Sequence, residues 1–356
     1  MIKSFEVKNL NHKISDKFIL NEDLNILTGK NGCGKTTILK AMWYIVSGNL
    51  DKIFDELYFD YARLELTNGS YTEISVKPDK KKNNRKIYIR SNNNSMFVEN
   101  EIELSFENYE QIPSLNLSDS SLFFPTFRRI EGGFSINNEM RRYRRNSLRD
   151  ALDNISENFT NGFKHKFIAS ISTEDINYLL SNKYADISEM IRRLEVNQSS
   201  KILNIVANSE DKEKESLGEI REIVRHNDNT RNNILRPFSI LSQVIDRIFK
   251  DKSIKISNNL ELGQAKEAIF SDKLSAGEKQ MLSFLCYNFF FDDCVIFIDE
   301  PELSLHTDWQ RILFPTLLKQ KKGNQFIIAT HSPFIYSKYT DKEVIINEDK
   351  GNNNEL

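Results

Sequence analysis

The sequence predicts an α/β fold in which helices cover a parallel sheet, with an antiparallel meander beside it and a mainly helical segment inserted. Three observations carry that expectation. Strand-like and helix-like segments alternate at both ends of the 356-residue chain. Short runs rich in β-formers, separated by turn residues, fill the stretch from Tyr61 to Phe106. Between about Arg149 and Lys252 the apolar spacing turns helical: Ile187, Met190, Ile191 and Leu194 fall at i, i+3, i+4 and i+7, as do Leu241, Val244, Ile245 and Ile248.

Taken in order, residues 2 to 8 and 24 to 28 read as strands and Lys35 to Val46 as a helix. The meander follows as Tyr61 to Thr67, Tyr71 to Val76, Lys86 to Ile89 and Glu101 to Phe106, punctuated by Asn68-Gly69, Pro78 and the SNNNS run. The helices of the middle are expected to be short and broken by polar linkers such as ANSEDKEKES, without the sustained heptads of a long coiled coil. Beyond about residue 254 the pattern returns to strand, helix, strand (CVIFID), helix, strand (FIIAT). The two β-rich ends then belong to one folded unit, giving segments 1–130 and 254–356 around an insert at 131–253.

Bulk composition narrows the class. With 39% hydrophobic and 28% charged residues and a formal charge of −2, the chain reads as globular and is no wholesale nucleic-acid coat. Cys33, Cys286 and Cys294 lack C-x-x-C pairing and fit a reducing cytoplasm. The start has no apolar signal core and no run approaches 18 apolar residues, so neither export nor a membrane span is expected.

The strongest local signal is Gly29-Lys30-Asn31-Gly32-Cys33-Gly34-Lys35-Thr36, a match to G-x-x-x-x-G-K-[ST] between a strand and a helix. Glycines let successive N–H groups turn inward toward phosphate oxygens, and the following helix N-terminus, with Thr37 in its first turn, adds its positive end. Lys35 is placed for β- and γ-phosphates and the Thr36 hydroxyl for Mg²⁺. Three distant segments complete the pattern. VIFIDE is an apolar strand delivering Asp299 to hold magnesium opposite Thr36, and Glu300 to orient or deprotonate a water. LSAGEKQ opens an apolar helix, with Ser275 and Glu278 spaced as a capping box and the small Ala276 and Gly277 between them, able to receive a second nucleotide's phosphate. ATHSP ends a strand and presents His331.

In order and spacing, GKNGCGKT, LSAGEKQ, VIFIDEPELSLH and THS resemble the ABC-type ATPases, in particular their SMC-like and RecF-like branch. The resemblance covers roughly residues 1 to 130 and 254 to 340 and implies an ABC-type P-loop ATPase head, a mixed sheet with an antiparallel β subdomain. It implies ATP and Mg²⁺ as ligands, Ser275 to Glu278 as the signature, Pro301 to His306 as the D-loop and His331 as the switch histidine. It also implies that two chains sandwich two ATPs, with larger assemblies left open. LSAGE departs from the transporter signature, and the Q-loop position has only Gln111 as a guess by place. DEPELSLHTDWQ and FFPTFRRIEGGFS look similar to the compact ATPase subunits of bacterial anti-phage systems such as PARIS, Septu and certain retrons. Only Ser332 to Leu356 follow His331, too little for the nuclease domain of the OLD enzymes, so a nuclease or toxin is expected on a separate chain. A RecF-like DNA clamp and an ATP-bound holder of a toxic effector are the rival functions.

Arg128, Arg129, Arg141, Arg142, Arg144, Arg145 and Arg149 place seven arginines within 22 residues. Such a cluster suits nucleic-acid phosphates; the competing reading is a protein or structural role, as a solvated loop or in ion pairs to acids elsewhere.

Overall fold

The computed structural model describes residues 1–79, 84–93, 98–105, 120–126, 129–130, 164–171, 173–207, 213–248 and 274–346. Gln111, Arg128, Arg141, Arg142, Arg144, Arg145, Arg149 and the strand expected just past residue 254 lie outside the described residues, and Arg129 is described by its backbone alone. The chain divides into two compact units. One holds Met1–Ile171, Ala276–Met281 and Phe291–Leu356, the other Ser172–Ser275 and Leu282–Phe290.

The first unit contains two six-stranded sheets. Strands β1 (Ile2–Leu10), β2 (Ile14–Ile19), β4 (Tyr61–Leu66), β5 (Tyr71–Asp79), β6 (Asn84–Asn93) and β7 (Val98–Ser105) pair antiparallel in the order β2-β1-β4-β5-β6-β7. Along β4, Ala62, Leu64 and Leu66 are buried while Tyr61, Arg63 and Glu65 face outward, the period-two pattern of a sheet with one wet face. Strand β2 has no counterpart in the sequence reading because ISDKFI does not alternate: its three central residues are all exposed.

The second sheet is built from β3 (Leu24–Thr28), β8 (Ser121–Phe124), β10 (His165–Phe167), β12 (Val295–Asp299), β13 (Gln325–Ala329) and β14 (Glu343–Ile345). Its order is β10-β8-β12-β13-β3-β14, and every neighbouring pair is parallel. LNILT, SLFF, VIFID and QFIIA are buried at every position, the mark of strands covered on both faces. A further parallel pair joins β9 (Arg129–Ile130) to β11 (Ser170–Ile171). This is the α/β fold that the alternation foretold.

Parallel pairing has a functional consequence. Asp299 pairs with Ala329, Ala329 with Leu27, and Ile298 with Phe124, so the carboxyl ends of β8, β12, β13 and β3 lie side by side on one sheet edge. Adjacent strands stand about 4.8 Å apart. Open α/β sheets bind ligands at that edge, where the strand order switches.

Helix α1 (Lys35–Ser47) covers this sheet, and it is buried almost throughout from Ile38 to Ser47. The Trp43 ring lies tilted against Phe123 and Phe167, with centroids 5.2 and 5.5 Å away, and its indole N–H donates to the Ser121 hydroxyl at 3.2 Å. The helix stops at Gly48, whose φ of 76° an L side chain resists. A short helix, α2 (Leu50–Glu56), follows. Gln325, at the start of β13, ties the sheets together: its amide nitrogen donates to the carbonyls of Ile2 and Asn21, each at 2.7 Å, and its oxygen accepts from the Ile2 N–H.

The second unit corrects one expectation. Its helices are not short: α3 (Thr173–Ala207) and α4 (Glu213–Ile248) run for 35 and 36 residues and pack against each other. A helix of that length spans roughly 54 Å. Polar residues with good helix propensity carry the helix where apolar periodicity fades, helped by pairs such as Glu189 with Arg192 and Arg193. Of the expected linker ANSEDKEKES, Ala207 closes α3 and Glu213 to Ser216 open α4, while 208–212 lie outside the described residues. Ile176, Leu180, Phe238, Leu241 and Ile245 are buried, and Phe238 contacts Phe290 of α5 (Ala276–Phe290) at 5.3 Å. The final helices are α6 (Thr307–Lys319) and α7 (Pro333–Tyr336). Among the described residues no helix is long and apolar enough to cross a membrane.

Candidate functional site

Strand β3 delivers the loop Gly29–Gly34 to the sheet edge. At Gly34, φ is 101° and a Cβ would stand 2.3 Å from Ile14 Cδ1; at Gly29, φ is 149° and a Cβ would meet Cys33 Sγ at 2.8 Å and the Ile346 carbonyl at 2.9 Å. Both positions therefore exclude a side chain. Asn31 and Gly32 are exposed at the apex, while Cys33 is buried. Lys35 opens α1 with its ammonium turned back into the loop, donating to the carbonyls of Gly29 (3.0 Å) and Lys30 (3.2 Å), with Cys33 Sγ at 3.8 Å. An anion in the loop competes with those carbonyls for a cation that is already almost fully buried. Thr37 follows in the same turn and is half-buried.

Strand β12 brings in the acids. The Thr36 hydroxyl lies 3.1 and 2.9 Å from the two oxygens of Asp299, joining residues 263 positions apart in sequence. Asp299 is buried, and a second hydroxyl, from Thr126 just past β8, also donates to it. One carboxylate and two hydroxyls thus converge.

Glu300 follows with φ at 48°, its N–H donating to the Ala329 carbonyl at 2.8 Å. A non-glycine residue in the left-handed region costs on the order of 1–2 kcal/mol, and such strain concentrates at functional sites. Burial raises the Glu300 carboxyl above the ordinary glutamate range; the charges of Asp299 and Glu302 add to this, and His331 and Lys35 oppose it. A carboxylate so placed holds a proton more readily than a free one.

Thr330, His331 and Ser332 follow directly on the end of β13. The flanking residues are buried and the imidazole of His331 is exposed between them. The last segment opens α5, where Ser275 and Ala276 are exposed and Gly277 and Glu278 are buried. A Cβ on Gly277 would stand 2.3 Å from the Ser304 carbonyl, so the start of α5 packs on the turn 301–306 with no room for a side chain. Gln280 donates to the Pro301 carbonyl at 2.9 Å, fastening the same turn.

The comparisons with known proteins follow this geometry. Residues 24–337 match the model of the family described as "AAA domain, putative AbiEii toxin, Type IV TA system". The chain belongs to that family, AAA_21. It is 28% identical over 195 residues to "Retron Vc95 probable ATPase" of Vibrio cholerae, covering 46% of this chain and 37% of that protein. A 39-residue stretch is 49% identical to "Retron Ec83 probable ATPase" of Escherichia coli, covering 11% of this chain and 7% of that one. These matches span well under half of either retron protein. A Helicobacter pylori "ATP/GTP phosphatase" is 24% identical over 350 residues, covering 93% of this chain and 85% of its own. Among solved structures, an SMC head bound to a winged-helix domain of ScpA is 12% identical with a TM-score of 0.42, covering 94% of this chain and 91% of its own.

Within this AAA_21 chain, sequence reading overlooked Thr126, Glu302 and Gln310. Thr126 sits inside FFPTF, where nothing but three-dimensional adjacency of β8 to β12 marks it. Glu302 was legible only as part of PELSLH, yet its carboxylate accepts from the Thr330 hydroxyl at 2.8 Å and the His331 N–H at 2.7 Å. Gln310, on α6, accepts from the Ser332 hydroxyl at 2.6 Å.

Proposed function

We propose that the chain is a Mg²⁺-dependent ATPase that closes as a dimer around ATP and serves as the sensor or scaffold of an anti-phage complex whose effector is a separate chain. The observation that carries the reading is the Thr36–Asp299 contact, which sets the end of the glycine loop against a buried carboxylate. The donor set fits magnesium, which takes oxygen ligands and is held by one or two carboxylates with the remaining positions left to phosphates and water. Among the described residues no group of three His, Cys, Asp or Glu gathers to form an all-protein cage. Thr36 and Asp299 are the residues to hold the ion, and when bound it draws charge from the phosphate oxygens.

The chain's own groups supply the rest. Amides of residues 29 to 37 cradle the phosphates, and Lys35 releases the loop carbonyls to meet the β- and γ-oxygens. Glu300 takes a proton from water as the water oxygen bonds to the γ-phosphorus, the β–γ bridging bond breaks and ADP leaves. A positioned base of this kind contributes about 10²- to 10⁴-fold. His331 donates to the γ-phosphate. Ser275 and Ala276, exposed at the start of α5, are available to a second copy's nucleotide, with Gly277 and Glu278 behind them. The names of the retron relatives support the ATPase and defence readings.

The test is recovery of Glu300→Gln protein from its native cells in Mg-ATP, with and without nuclease. A stoichiometric protein that survives nuclease supports the effector-linked complex. Nucleic acid recovered without such a protein, and lost on replacing Arg141, Arg142, Arg144 and Arg145 by alanine, moves the function to a DNA clamp.

A further inference from the structure

Glu302 stands two residues past Glu300, in the turn that connects β12 to α6. Its two carboxylate oxygens are filled by different parts of one strand end: Oε2 by the Thr330 hydroxyl at 2.8 Å, Oε1 by the backbone N–H of His331 at 2.7 Å. Its carbonyl accepts from Leu305 N–H at 3.0 Å and from Gln310 Nε2 at 3.4 Å. Gln310 completes the ring by accepting from the Ser332 hydroxyl. The Thr330–His331 peptide is thereby bonded directly to the turn and the Ser332 side chain is tied to it through Gln310, while the turn is fixed to the start of α5 through Gln280 and the side-chain-free Gly277.

The chemistry of the contact explains the residue type. Both groups that meet the carboxylate are donors, and only an ionised acid offers acceptors at both ends; a glutamine would turn an NH₂ toward one of them. Thr330 donates to Glu302 while its oxygen accepts from the Ser332 N–H at 3.0 Å, so a glutamine NH₂ facing it would take the remaining lone pair and force the hydroxyl proton to another acceptor. Bonds to an ionised acceptor are about twice as strong as neutral ones.

We propose that Glu302 is a positioning residue that sets His331: by holding the Thr330–His331 peptide against the 301–306 turn, it aims an imidazole that is itself exposed. This rests on the reading of His331 as the group that meets the γ-phosphate. Displacing a reacting group by about 1 Å can cost on the order of 10²-fold in rate, so the aim of an exposed side chain is worth fixing.

The experiment measures phosphate release against ATP concentration in wild type, Glu302→Gln, His331→Ala and the double variant. Glu302→Gln is expected to lower kcat by about 10- to 100-fold with little change in KM. In the His331→Ala background the same substitution is expected to cost less than about twofold, the non-additivity of residues acting as one unit. Thr330→Ser should retain activity and Thr330→Val should lose it, and Thr330→Val replaces Glu302→Gln in the cycle if that protein does not fold. An equal loss in both backgrounds, or an unchanged kcat, overturns the positioning role and leaves the ATPase reading standing. A His331→Ala protein with wild-type turnover overturns the role of His331 and this inference with it.

Discussion

The carboxyl edge of the parallel sheet and the long hairpin of α3 and α4 follow opposite rules. At the sheet edge, strands buried on both faces lead to Asp299, Glu300 and His331 and, through the glycine loop, to Lys35, and hydrogen bonds there join Thr36 to Asp299 and Thr330 to Glu302. Along α3, Val196, Leu203 and Val206 are exposed, and charged pairs lie open to solvent. Chemistry is placed where strand pairing over-determines position; the hairpin tolerates change because little packs on its outer face.

Substitution at the edge should give the largest effects. Lys35→Ala is expected to abolish ATP binding in a calorimetric titration while the circular dichroism of the fold is retained. Binding within tenfold of wild type would remove Lys35 from the phosphate site. Glu300→Gln should bind ATP normally and lose about 10²-fold or more in turnover.

Stability should divide along the same line. Trp43→Ala, which empties a buried, aromatic-packed and hydrogen-bonded position behind the phosphate loop, is expected to cost about 3–5 kcal/mol in denaturant unfolding. Leu203→Ala, at a residue 67% exposed, should stay within about 0.5 kcal/mol. Similar losses at the two sites would erase the contrast.

The smallest effect concerns pH. Hydrogen bonds from Arg192, then from Arg193, hold the exposed Glu189 carboxyl down at about 2, from an ordinary 4.5. The folded value is depressed, so whatever the cluster adds to α3 is present above 4.5 and lost as pH falls toward 2. An NMR titration of Glu189 should show the depressed midpoint, and Arg192→Ala together with Arg193→Ala should return it toward 4.5.

The contrast also explains what could be read without a structure. The phosphate loop was legible because its glycines answer a backbone demand that a fixed spacing records, as Gly34 shows with its positive φ and its contact to Ile14. Buried strands such as VIFID were legible as apolar runs ending in acids. Thr126 and Glu302 were not, since a hydroxyl or carboxylate gains its meaning only from the neighbouring strand end that it meets. The length of α3 and α4 was missed for a different reason: their apolar periods were seen only in short windows such as Ile187 to Leu194 and Leu241 to Ile248, and between these windows polar residues continue the helix on propensity and local pairs.

The most direct test of the account is the mass of Glu300→Gln protein by light scattering after gel filtration in Mg-ATP, with bound nucleotide assayed in the same fractions. A dimer carrying one unhydrolysed ATP per chain, reduced to monomer by adding Ser275→Arg, is the predicted result. A monomer free of nucleotide, or a dimer indifferent to both ATP and Ser275→Arg, would contradict it.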